Sequence, residues 1–325
     1  SMNDQQVAAQ KAKSGKDKAV LLVAFGSTWT NAFAAFDDTK KAYEDAFPDA
    51  DVYFCFSSDI CINRASAGEH GESRNYYEPR YLLHAIGAAK YKTVYVQSLQ
   101  VIPGEEFANV VAAVKKFANN GYVKDAHLDD EYLKTVEIHL GMPLLNDLDE
   151  VDDVAKLLND LYQDEAAQGV VAFMGHGNPD NYDSFKANIR YTQLEKALQT
   201  YSKNYYVGTV DMKDNYKQNV MARMQNNNIT SGKVYLHALM SIAGDHAHND
   251  MAGEGNDYWD ASEPTSEDNS WFEFFNHNGF TSVVPQTNGN PLGLLELPTI
   301  RQIWINHTKN AELLEDAYHS MYPEE

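Results

Sequence analysis

The feature that most restricts the fold is the regular return of short apolar runs separated by stretches of helical spacing. Residues 19–25 (AVLLVAF) are apolar throughout and end in Gly26-Ser27, the pattern of a strand buried on both faces and followed by a turn. Phe36, Thr39, Tyr43, Ala46 and Phe47 then recur at helical spacing until Pro48, which has no N–H to continue a helix. Further strands are predicted at 51–56, 93–99 and 135–140. Between the last two, Phe107, Val110, Val111, Val114 and Phe117 mark one face of a helix expected to stop at Asn119-Asn120-Gly121. The second half repeats the scheme, with strands at 169–174, 205–210, 233–239 and 281–284 and helices near 147–163, 186–200 and 213–226. A last helix is expected from Pro298, with Ile300, Ile303, Trp304, Ala311 and Leu314 inward. Such alternation predicts an α/β fold with parallel sheets covered on both faces.

A chain of 325 residues accommodates two domains of ordinary size. The expected division is a polar tail over 1–17, an N-terminal α/β domain over 18–145 and a C-terminal α/β domain over 146–325. The stretch 249–275, rich in Asp, Glu, Asn, Gly and Ser, reads as a surface loop. A formal charge of -21 argues against nucleic acid and against anionic membranes, since both demand basic surface. No apolar run approaches the roughly 18 residues of a membrane span, so no membrane insertion is expected. Cys55 and Cys61 are too few for a disulfide framework and are expected as free, buried thiols. The first 18 residues are polar and lack the apolar centre of a signal peptide. The cytoplasm is therefore the default compartment, with export the alternative if the opening Ser-Met replaces a removed leader. A homo-oligomer is compatible with all of this.

One internal repeat stands out. Residues 93–106 (TVYVQSLQVIPGEE) align without gaps on 233–246 (KVYLHALMSIAGDH), with Val94, Tyr95, Leu99, Ile102 and Gly104 matching Val234, Tyr235, Leu239, Ile242 and Gly244. A weaker echo sets VAFGS (23–27) over AFMGH (172–176). Both point to one duplicated unit. Under that alignment Glu106 corresponds to His246 and Ser27 to His176, so the second copy carries imidazoles where the first does not.

In open α/β sheets, ligands bind outside the carboxyl ends of the strands. Three such ends in the second half carry groups that can hold a metal: Gly175-His176-Gly177, Asp211, and Gly244-Asp245-His246. Two imidazoles and a carboxylate converging from separate strands suit Co, Ni, Fe or Zn. The flanking glycines allow backbone and a flat ligand to approach closely. The bland readings are a surface turn at His176, solvated loop histidines at 246 and 248, and a helix cap at Asp211. Other chemistries fare worse, because the chain has no GxSxG, Walker A, GxGxxG, HExxH or paired CxxC motif, and its acidic loop lacks calcium-loop spacing.

These residues lie in segments that resemble the anaerobic sirohydrochlorin cobaltochelatases of the CbiK family. The resemblance is carried by 240–253 (MSIAGDHAHNDMAG), 295–311 (LELPTIRQIWINHTKNA), Phe25-Gly26-Ser27, 96–107 (VQSLQVIPGEEF), 141–145 (GMPLL) and Met174-Gly175-His176-Gly177. It implies a class II chelatase fold, two similar Rossmann-like domains with the tetrapyrrole in a cleft between them. It further implies insertion of Co²⁺, as substrate, into sirohydrochlorin on the anaerobic route to cobalamin, with no nucleotide; Ni²⁺, Fe²⁺ or Zn²⁺ are alternative ions. The family's two metal histidines fall on His176 and His246, which are also the expected catalytic residues, and its metal-binding glutamate falls on Asp211. Gly26, Ser27, Gln100, Gly175 and Gly177 are the expected contacts to the tetrapyrrole. This chain departs from the family at Asp211, one methylene shorter than Glu, at Gln100 where the family has His, and at Asp59 where a basic residue is expected. Those departures keep open a binding protein that retains the fold without the reaction; a metal-dependent hydrolase is a more distant alternative.

Metal insertion removes two pyrrole N–H protons and transfers an ion that has shed water. Neutral imidazole binds metal and accepts a proton near neutral pH, so His176 is expected as base and ligand, with His246 and Asp211 completing the shell. Sirohydrochlorin carries many carboxylates, and the cationic groups that would meet them are not evident in a chain with only six arginines.

Overall fold

The structure is a computed structural model that describes residues 2–119, 127–183, 185–254 and 258–320. The chain forms two compact units, one of Ser1–Leu144 with Arg301–Glu325 and one of Leu145–Ile300.

The first unit holds a five-stranded sheet. Its strands are β1 (Lys18–Ala24), β2 (Ala50–Phe56), β3 (Thr93–Ser98), β4 (Glu137–Gly141) and β9 (Glu312–Leu313), in the order β2-β1-β3-β4-β9. The first four are parallel and β9 runs antiparallel to β4. Central strand β1 is buried from Ala19 to Ala24, which is why it reads as an unbroken apolar run; each of Leu21, Leu22 and Val23 contributes about 1.5–3 kcal/mol through burial. The helix Thr30–Ala46 buries Ala32, Phe33, Ala35, Phe36, Thr39 and Tyr43, and Glu105–Ala118 buries the five apolar residues expected of it. That helix has Asn119 as its C-cap; the expected stop signal at Asn120-Gly121 lies outside the described residues.

The second unit holds a parallel sheet of β5 (Val170–Gly175), β6 (Tyr205–Thr209), β7 (Gly232–Ala238) and β8 (Phe280–Val283), in the order β6-β5-β7-β8. All eight long strands fall where the apolar runs placed them, within one or two residues. Among the described residues no helix is long and apolar enough to cross a membrane.

Five expectations change. The polar tail is helical over Met2–Ser14 and docks on the helix Pro79–Ala88: Val7 is buried, and the Asn3 side chain donates to the Tyr81 carbonyl at 2.9 Å. The C-terminal segment belongs to the first unit, because Trp304 is fully buried there and donates from Nε1 to the Gln100 carbonyl at 3.1 Å. Thr308 joins it by hydrogen bonding to Tyr43 at 2.9 Å and to Gln97 at 2.8 Å. The inward face is Ile300, Trp304, Ile305 and Thr308; Ile303 is only half-buried, as are Ala311 and Leu314, which lie past the end of the helix Pro298–Lys309. The stretch 249–275 is not all surface loop, for it runs into the helix Trp271–Asn276, whose Trp271, Phe274 and Phe275 are core residues. Neither cysteine forms a disulfide, but only Cys55 is buried; Cys61 is half-buried on the helix Asp59–Ser66.

The matching strand orders bear on the repeat. The Leu99 N–H donates to the Val23 carbonyl at 2.8 Å, and the Leu239 N–H donates to the Met174 carbonyl at 2.8 Å. Leu99 and Leu239 were already paired by the longer alignment, so Val23 corresponds to Met174, Phe25 to His176 and Gly26 to Gly177. The weaker echo, which set Ser27 against His176, is therefore wrong by two residues. Ser58 N–H to Phe25 O at 3.0 Å likewise mirrors Asp211 N–H to His176 O at 2.9 Å. Phe25, Ser58 and Glu106 thus occupy in the first copy the places of His176, Asp211 and His246 in the second.

Candidate metal centre

All three metal-capable residues lie in the second unit, past the carboxyl ends of β5, β6 and β7. His176 follows β5 directly. Gly175 is held against the ring of buried Tyr191, where a Cβ would come to 2.5 Å of a ring carbon. Gly177 has φ +74°, a left-handed conformation that favours glycine. These two glycines thus serve the strand-end turn that presents His176. Asp211 lies two residues past β6, and its N–H donates to the His176 carbonyl at 2.9 Å. It does not cap a helix: the next one, Lys217–Asn226, has Tyr216 as its N-cap.

His246 opens a π-helical turn, His246–Met251, a distortion often found at functional sites. Ala247, His248 and Met251 face inward and are fully buried, and His248 Nδ1 hydrogen bonds to Glu254 at 2.6 Å. His248 is therefore a core residue with its own carboxylate, while His246 points the other way.

The His176 and His246 rings meet edge to face, with centroids 4.8 Å apart at 76°. His176 Nδ1 hydrogen bonds to the Gly177 carbonyl at 2.7 Å, and His246 Nδ1 to Asp250 Oδ2 at 2.5 Å. A carbonyl or carboxylate can only accept, so both Nδ1 atoms carry a proton, and in the neutral form of each ring the Nε2 lone pair is the one left for a metal. His176 Nε2 lies 3.5 Å from Asp211 Oδ2. The three side chains are 37–48% exposed, an open arrangement. Among the described residues no group of three or more His, Cys, Asp or Glu side chains is gathered as a metal shell. The shell expected from the sequence is thus not assembled as a cage; Asp211 approaches His176, while His246 bonds to Asp250. The bond to Asp250 chiefly holds the His246 imidazole above the usual histidine range, against its burial and with help from Asp211 and Asp245.

Beside Asp211 and His246 lies a cavity of about 490 Å³ lined by Thr209, Lys217, Asp250 and Trp271 among others. Lys217 is buried, donates to the Ser266 carbonyl at 2.9 Å, and lies 5.7 Å from the centre of the Phe274 ring. Burial holds its ammonium below the usual lysine range, opposed by Glu267 and Asp250. A larger cavity of about 600 Å³ in the first unit has Asp, Glu, Lys and Arg in its lining but no imidazole. Sequence reasoning missed Asp250 and Lys217. The spacing of His246 and Asp250, four apart on one turn, was the available signal for the first.

Gly26, Ser27 and Gln100 belong to the first unit. Gly26 has φ +124°, and a Cβ there would come to 2.7 Å of Cys61. Ser27 is buried and accepts from the Trp29 N–H at 3.2 Å. Gln100 Oε1 accepts from the Ser98 hydroxyl, while its Nε2 is buried without a partner among the described residues.

Residues 18–312 match the model of the family described as cobalt chelatase (CbiK). The chain belongs to this family. The sirohydrochlorin cobaltochelatase of Salmonella typhimurium is 26% identical over 301 residues, covering 90% of this chain and 96% of its own. The sirohydrochlorin cobaltochelatase CbiKC of Nitratidesulfovibrio vulgaris is 26% identical over 243 residues, covering 74% and 78%. Among solved structures, SirB from Bacillus subtilis with Fe³⁺ aligns with a TM-score of 0.53 at 14% identity, covering 90% of this chain and 94% of that one. That likeness concerns the fold alone.

Proposed function

We propose that this cobalt chelatase family member inserts Co²⁺ into sirohydrochlorin, with His176 and His246 handling the ion and the protons. The observation that carries the assignment of residues is the imidazole pair, whose rings lie 4.8 Å apart with both Nδ1 atoms engaged. Two Nε2 atoms on adjoining strand ends, that of His176 beside the Asp211 carboxylate, suit an ion that must be held and then surrendered. An open site of half-exposed side chains serves that better than a closed cage, which is the form of a structural metal site. Asp211 neutralises part of the ion's charge beside His176 and completes the set of donors.

The macrocycle loses two N–H protons for each Co²⁺ it gains, so charge is conserved only if those protons find acceptors. Once the ion has left for the ring nitrogens, the Nε2 atoms of His176 and His246 are free to take them. Solvent then removes them, since both side chains are near half exposed. The same open site accommodates Ni²⁺, Fe²⁺ or Zn²⁺, because imidazole binds all of them, and the reaction needs no nucleotide. The departures from the family pattern at Asp59, Gln100 and Asp211 favour a second reading, a binding protein that holds metal or tetrapyrrole without turnover.

Anaerobic incubation of the protein with Co²⁺ and sirohydrochlorin, followed by absorbance, separates the two. The insertion reading expects conversion to the cobalt complex well above the protein-free rate. Conversion at the protein-free rate, with Co²⁺ still bound, would establish the binding protein instead.

A further inference from the structure

The two imidazoles are backed by different groups. Behind His176 is a neutral main-chain carbonyl, Gly177 O at 2.7 Å, and behind His246 a carboxylate, Asp250 Oδ2 at 2.5 Å. The π-helical turn makes the second contact. It buries Ala247, His248 and Met251 on one side and leaves His246 and Asp250, 43% and 40% exposed, together on the other. Because the buried residues anchor the turn, the His246–Asp250 pair is set by backbone geometry and not by a chance meeting of two flexible surface side chains.

Resting on the metal-site reading above, we infer that Asp250 is a positioning residue for metal capture: it fixes the His246 ring with Nε2 outward and makes that nitrogen the stronger of the two imidazole donors. A carboxylate accepting from Nδ1–H locks the tautomer and increases electron density on the ligating nitrogen. A neutral carbonyl orients the ring but polarises it less. The division of labour follows. His246 takes up the ion first and holds it, and His176, with the weaker backing, is the donor more readily released to accept a pyrrole proton. In this role Asp250 acts through the His246 ring, which it holds by Nδ1.

The test is Co²⁺ binding to the whole protein with no tetrapyrrole present, by isothermal titration and by the visible d–d absorption of the bound ion. Asp250→Ala should weaken binding about 10–100-fold, the usual cost of losing a carboxylate behind a ligating histidine, and alter the d–d bands. Asp250→Asn keeps an acceptor oxygen without the charge and should fall between, while Asp250→Glu should restore part of the loss. If Asp250→Ala fails to fold, the isosteric Asn variant carries the test. Wild-type affinity and an unchanged d–d spectrum in a folded Ala or Asn variant would overturn the inference. Because no tetrapyrrole is present, this outcome is separate from a failure of the insertion reaction.

Discussion

The backbone N–H of Asp211 donates to the carbonyl of His176 at 2.9 Å, while their side chains meet at 3.5 Å between Oδ2 and Nε2. The main-chain bond ties the ends of β5 and β6 together independently of the Asp211 side chain. Truncating that side chain should therefore affect the metal and spare the fold. Asp211→Ala is expected to weaken Co²⁺ binding about tenfold while changing stability by less than about 0.5 kcal/mol, as for a surface substitution. Asp211→Glu, which restores the missing methylene, is expected to tighten binding. Titration calorimetry beside thermal melts checks both. A stability loss of about 1 kcal/mol with unaltered affinity would show that the carboxylate serves structure and not the ion.

Gly175 fixes where His176 begins. Its Cβ position lies 2.5 Å from a ring carbon of Tyr191, and that ring, being buried, has nowhere to swing. Gly175→Ala should cost about 1–3 kcal/mol, the usual range for overpacking a filled site, and should also slow insertion by moving His176. Chemical denaturation measures the first effect. An unchanged midpoint would mean that the turn is softer than its packing indicates.

Glu106 occupies in the first copy the place that His246 holds in the second. Its carboxyl is held above the usual carboxylate range chiefly by burial; the Ser57 hydrogen bond opposes this and Glu105 adds to it. Folding therefore favours the protonated form. The stabilising contribution is full below the unfolded value of 4.5 and is lost as pH rises through the higher folded value. The neutral variant Glu106→Gln should escape that loss. Its melting temperature relative to the parent should rise between pH 4 and pH 7. A difference that stays flat or falls over that range would contradict the burial argument.

Much of this was legible in the sequence. Strands buried on both faces, such as β1 and β5, are apolar along their length and announce themselves, and shorter apolar runs mark the rest. The strand-end rule then brings His176, Asp211 and His246 together. What stayed hidden has physical reasons. The helix Met2–Ser14 is polar and buries little beyond Val7, so no apolar stripe marks it. The return of Trp304 and Thr308 to the first unit depends on long-range hydrogen bonds that no local pattern encodes. The short echo at 23–27 went astray because similar residues two positions apart look alike on paper, whereas the carbonyls of Val23 and Met174 identify equivalence by what they accept. His246 and His248 are indistinguishable in the string DHAHND; only the π-helical turn sends one outward and the other into the core.

The central claim is that the imidazole pair of the second unit performs metal insertion, and the initial rate of anaerobic Co²⁺ insertion into sirohydrochlorin by His176→Ala and His246→Ala tests it most directly. Each variant should remain folded by circular dichroism, because half-exposed strand-end side chains contribute little packing. Each should lose about 100-fold or more of the parent rate, the scale of a lost proton acceptor. A folded variant of either residue that inserts Co²⁺ at the parent rate would contradict the account.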